Sequence, residues 1–176
     1  MEWKRDAFVY TFLGGIVISY VIGGWLLTLI FFLLWFDKII LSGARLWSIG
    51  IELTTFLAVI IGIKFGFFAF LYVFLISILL DALKFYLFGG DIMPFVPMAP
   101  HFVDALSTLA AHFMKGFDFF IIFTAVFLLK ILMNFLTDLA LEALPLTPKK
   151  LMNVIFNILL ALYLASNPGI LAVFLE

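Results

Sequence analysis

The chain of 176 residues is 66% hydrophobic and only 12% charged, contains 24 Phe and no Cys, and has a formal net charge of −1. Globular chains are about half hydrophobic and a quarter charged, and a small domain leaves much of its surface in water, so this composition excludes a soluble domain. It also excludes a disordered chain and a disulfide scaffold, and the charge excludes nucleic acid as a partner, because phosphate binding needs clustered Lys and Arg.

The first apolar stretch, 7–36, runs for 30 residues without an acidic or basic side chain. About 20 residues cross a bilayer, so this stretch spans with some tilt and is too long for a cleaved signal sequence. A polar connector follows with Asp37, Lys38, Ser42, Gly43 and Arg45, and 47–63 is a second apolar stretch interrupted only by Glu52. Lys64 and Gly66 mark a tight turn into 65–88, which carries Asp81 and Lys84 near its end. Gly89, Gly90 and three prolines, Pro94, Pro97 and Pro100, then make a loop that cannot be helical throughout. The segment 102–114 is short and amphipathic, and either spans with help from its flanks or lies at the interface. A long stretch, 119–144, ends before Pro145 and Pro148, and 151–175 is a last uncharged run with Asn167-Pro168-Gly169 inside it.

These spans predict a single all-α domain over 1–176: a polytopic integral membrane bundle of six helices, or five with one short interfacial helix. Lipid offers no partner for backbone N–H and C=O groups, and no segment alternates as barrel strands do. Six continuous spans put four basic residues on each side, which gives no orientation. If 7–36 doubles back at Gly23-Gly24, seven (Lys4, Arg5, Lys38, Arg45, Lys84, Lys149, Lys150) face two, Lys64 and Lys115. The expected fold is six continuous helices, with the broken first helix as the alternative.

Three patterns carry candidate functions. Gly15, Ser19 and Gly23 recur every four residues, a shallow strip that either docks a partner subunit or packs against the chain's own helices. Lys130, Asn134, Asp138 and Glu142 also recur every four residues and share one helix face, as do Asn153 and Asn157. Charges in lipid cost several kcal/mol unless paired or wet, so the Lys130 face looks into the bundle, as a ligand or ion site or as a structural ladder. His101, Asp104 and His112 are metal-ligand types without a metal-site motif, and no metal site is expected. No phosphate-binding loop, nucleophile elbow or dinucleotide fingerprint is present, so no catalysis and no cofactor are expected.

The stretches Gly50-Ile51-Glu52-Leu53-Thr54-Thr55-Phe56, Gly62-Ile63-Lys64-Phe65-Gly66 and Leu79-Leu80-Asp81-Ala82-Leu83 resemble part of a known family. They are similar to the second and third helices of the membrane-embedded substrate-binding (S) subunits of energy-coupling-factor vitamin transporters. The resemblance covers about a quarter of the chain. It implies a six-helix subunit that binds a small molecule within the membrane and performs no chemistry on it. The ligand would sit below the Pro94–Pro100 loop, among Lys130, Asn134, Asp138 and Asn157. A coupling subunit would meet Gly15, Ser19 and Gly23, and a separate ATPase would drive import across a prokaryotic cell membrane. Two other readings stay open: an accessory subunit in a larger assembly, and an ion or proton pathway through Lys130, Asp138 and Glu52.

Overall fold

The computed structural model describes residues 2–41, 50–89, 98–140 and 147–175. Those residues form an all-α bundle of α1 (Glu2–Trp35), a π-helical turn (Phe36–Leu41), α2 (Thr54–Phe65), α3 (Phe67–Phe88), α4 (Ala99–Phe113), α5 (Phe119–Ala140), α6 (Pro148–Ser166) and α7 (Pro168–Leu175). Four stretches, Lys4–Leu41, Phe67–Phe88, Phe119–Ala140 and Pro148–Ser166, are long and apolar enough to cross a membrane, the composition of an integral membrane protein.

The first stretch is not one straight span. Gly24 lies at φ 65°, ψ −155°, a backbone conformation outside the helical region that favours glycine. Beyond it the chain folds back. The Phe8 and Trp35 ring centroids are 4.7 Å apart, as are those of Phe12 and Trp35. In a continuous helix Phe8 and Trp35 would stand about 40 Å apart. The six continuous spans expected from hydropathy are therefore corrected at this point: 2–23 and 25–41 are two antiparallel arms, because the φ that Gly24 adopts ends one helix and starts another.

α2 occupies the centre. Every residue from Thr54 to Gly62 is buried, which explains why it is apolar all round although its 12 residues are too few to span alone. Gly62 lets it approach α4 closely, since a Cβ there would collide with the Thr108 carbonyl. α3 returns from α2 through Gly66, α4 lies against both, and α5 packs on α2 and α4. α6 starts at Pro148, capped by the Thr147 hydroxyl accepting from the Lys150 N–H at 3.4 Å. The last apolar run is broken at Asn167, and α7 turns inward to bury Leu171 and Phe174, whose ring meets Phe56 edge-on at 5.3 Å.

The bundle therefore has two unlike ends. At one, the reversals at Gly24, Gly66 and 114–118 come together with Leu175: Phe65 lies over Gly23, His112 over Gly66, and Lys64 donates to the Leu175 carbonyl. At the other, α1 begins and its return arm ends, α2 begins, α3 ends and α4 begins. Lys4 there donates to the Leu87 carbonyl at 3.2 Å.

Candidate functional site

Charged side chains of four elements and of the segment just before α2 meet at this second end. Lys130 on α5 reaches Glu52, just before α2, at 3.0 Å and Asp104 on α4 at 2.9 Å. The other oxygen of Asp104 faces Lys38 on the π-helical turn at 3.4 Å. Glu52, Lys130, Asp104 and Lys38 thus form one chain of alternating charge, with Asp104 and Lys130 almost wholly buried. Beside them Asp37 accepts from the Leu53 N–H and the Thr54 hydroxyl, each at 2.9 Å. Leu53 has no side chain able to cap α2, so the carboxylate of the preceding element serves its positive N-terminal end instead. On the far side, Asp81 of α3 meets His101 of α4 at 2.7 Å.

Such a layer is costly to build in a bilayer. Ionised groups taken from water lose several kcal/mol each unless paired, and well-packed apolar side chains would hold helices together as well or better. Intramembrane charge of this kind accordingly marks binding or transport sites more often than scaffolding. Several buried polar atoms have no hydrogen-bond partner among the described residues: Trp35 Nε1, Thr55 Oγ1 and Ser77 Oγ, each within four residues of a member of the layer, and Asn157 Oδ1 on α6. Atoms in that state are the ones that ordered water or a polar ligand satisfies.

The residues singled out from sequence divide among different neighbours. Lys130 enters the layer, and Asn134 lies half-buried one turn further along α5. Asp138 turns to α6 and pairs with Lys150, so Lys130 and Asp138 satisfy partners on other helices and not one another. Glu142 and most of the Pro94–Pro100 loop lie outside the described residues. Asn157 is fully buried and donates to the Asn153 carbonyl at 2.9 Å, while Asn153 donates to the Gly50 carbonyl at 3.1 Å, tying α6 to the approach of α2. The small-residue strip is filled from within. A Cβ on Gly15 would overlap the Phe31 ring of the return arm, Ser19 bonds the Tyr72 hydroxyl at 2.7 Å, and Gly23 lies under Leu27 and Phe65.

His101, Asp104 and His112 do not share a site: the first two hold different partners in the layer, and His112 is at the opposite end by Gly66. Among the described residues no three acidic or imidazole side chains are grouped to hold a metal. Two hollows open elsewhere. One of about 240 Å³ lies at the reversal end between Lys64, Lys115, Phe119 and Leu175, and one of about 480 Å³ lies along the outer face of α5 at Phe120, Thr124 and Leu128. Neither is lined by Lys130, Asn134, Asp138 or Asn157.

Sequence reasoning missed Asp37, Lys38 and Asp81 as members of the site. Asp37-Lys38 reads as a connector because it ends a long apolar run, yet Ile39, Ile40 and Leu41 follow it at once, an apolar run that a solvated loop would not need. Comparison with family models, curated proteins and solved structures gives no match.

Proposed function

We propose that this chain is the small-molecule-binding subunit of a larger membrane assembly, with no catalysis of its own. The observation that carries the reading is the position of the charged layer. It sits at one end of the bundle, and beneath it Leu57, Val59, Ile60 and Ile61 of α2 and Ala111 of α4 form a closed apolar core. A polar ligand entering from that end would exchange the lysine–carboxylate contacts for its own, and the unpartnered Thr55 and Asn157 oxygens offer further contacts. The same apolar core argues against a continuous ion or proton pathway through the chain, since among the described residues no titratable group continues the layer into it.

Import in the manner of the S subunits is the transport role the sequence resemblance implies, with a coupling subunit and an ATPase as partners. It requires the layer to face away from the cytoplasm. The seven-to-two balance of basic residues across the folded-back α1 favours the opposite orientation, so the direction of transport follows from topology and not from the binding role itself. The accessory-subunit reading draws on the absence of Lys130, Asn134, Asp138 and Asn157 from the lining of either hollow, but the Gly15–Gly23 strip it would bury against a neighbour is filled by the chain's own side chains, and it leaves the cost of the charged layer without a purpose.

The test is native mass spectrometry of the chain extracted with lipid. A thermal-shift panel of vitamins and of charged and zwitterionic metabolites accompanies it. A bound polar molecule, or a stabilising solute whose effect Lys130→Met abolishes, supports binding. A helical, monodisperse preparation that carries nothing and responds to nothing in the panel overturns it.

A further inference from the structure

The start of α4 is held by an imidazole whose protonation state the geometry fixes. Met98, the residue before α4, donates its backbone N–H to Nδ1 of His101 at 2.9 Å. An accepting Nδ1 carries a lone pair, so the ring's single proton is on Nε2, which donates to Asp81 at 2.7 Å. His101 is 2% exposed, so water does not compete for either nitrogen. In effect it performs half of a capping box: the third helical residue reaches back to the N–H of the N-cap, while its other nitrogen ties α4 to the end of α3.

Adding a proton changes one of these bonds and not the other. An imidazolium has N–H groups on both nitrogens, so Nδ1–H would face the Met98 N–H, donor against donor. The helix N-terminus repels the new positive charge as well, whereas the Asp81 carboxylate attracts it. The surrounding charges are Lys84 on α3, Lys38 on the π-helical turn, and Asp104 one turn along α4 with Lys130 and Glu52 behind it. They leave the direction of the change intact. We propose that His101 is a proton-operated latch on α4: neutral, it holds both Met98 and Asp81; protonated, it stays with Asp81 and releases Met98. The latch stands whether or not a ligand binds beside it.

The measurement is the protection of the Met98 amide against hydrogen exchange, read by NMR in lipid nanodiscs at pH 7.5 and pH 5.0 and corrected for the intrinsic exchange rate. The expected fall is roughly tenfold on acidification, the scale of losing one helix cap. His101→Gln keeps an acceptor for Met98 and a donor for Asp81 but does not titrate, so its Met98 protection should change by less than about twofold. Equal protection at the two pH values in the unaltered chain overturns the proposal, as does a full response surviving in His101→Gln. Imidazole ¹⁵N spectra of the unaltered chain give a check free of any folding defect in the variant. The tautomer protonated at Nε2 is expected at pH 7.5, and the Nδ1-protonated form there would refute the latch.

Discussion

The two ends of this bundle are joined by different physics. At the reversal end the helices meet by shape: Gly15 receives the Phe31 ring, Gly62 admits the α4 backbone, and Phe56 meets Phe119 and Phe174 edge to face. At the other end they meet by charge, through Glu52, Lys130, Asp104, Lys38, Asp81 and His101. Lipid tails are as apolar as Leu, so within the membrane nothing drives two helices together except close packing and polar contact. Shape specifies which surfaces fit but tolerates small slides. A charged layer whose paired members come from different elements penalises any register that leaves a buried charge alone. Packing thus sets how closely the helices approach one another, and the charged end sets their register.

The sharpest test of the contrast is whether the two ends lie on opposite sides of the membrane. With α1 folded back at Gly24, the chain passes along the bundle seven times between residue 2 and Ser166, so residue 2 is at the charged end and Leu175 at the reversal end. Compartment-sensitive reporters fused before residue 1 and after residue 176 should report opposite compartments, an all-or-none result. Both reporters on one side would mean an even number of crossings and would undo the assignment of the two ends.

That reversal shows what the sequence could disclose and what it could not. The helical class was legible, because an uninterrupted apolar run has no other stable form in lipid. Gly23-Gly24 marked a place where 7–36 could turn, and the charge balance improved when it did, but hydropathy alone cannot distinguish one tilted helix from two antiparallel arms. The break between α6 and α7 was missed, because 151–175 reads as one uncharged run even with Asn167-Pro168-Gly169 inside it. Lys130 was legible as an inward-facing charge from its i+4 row. Its partners were not, since Glu52 and Asp104 are 78 and 26 residues away in sequence and periodicity carries no information between helices. Asp138 was grouped with Lys130 by the same row, although two turns of drift and the approach of α6 give it to Lys150.

Within the charged end, Lys130→Met should have a large effect. It takes from Glu52 its direct partner and from the buried Asp104 the nearer of its two, and breaking a buried pair in this way costs about 3 kcal/mol. Adding Glu52→Gln to Lys130→Met should recover part of that loss by removing one stranded charge. Unfolding in mixed micelles at increasing SDS, followed by helical circular dichroism, gives both numbers. A Lys130→Met chain as stable as the original would show that the layer is wet enough to dispense with its pairs, and the two ends would no longer differ in what holds them.

The smallest effect belongs to a polar contact near the reversal end, where shape is argued to dominate. Ser19 and Tyr72 share a hydrogen bond of 2.7 Å and are 1% and 6% exposed. Removing either partner should cost about 1 kcal/mol or less, since hydrogen bonds within membrane bundles average roughly 0.6 kcal/mol. The two truncations should not be equal. Tyr72→Phe leaves a serine hydroxyl that can turn back to the carbonyl one helical turn before it, as Thr28 already does to Gly24 at 2.9 Å. Ser19→Ala leaves a buried phenol with nothing to bond, and is the costlier change. The double variant should then cost less than Ser19→Ala alone, because the orphaned hydroxyl is gone, so the losses will be less than additive. Equal and additive losses on the same SDS titration would mean that the two hydroxyls find separate partners, and that this part of the interface is held by packing alone.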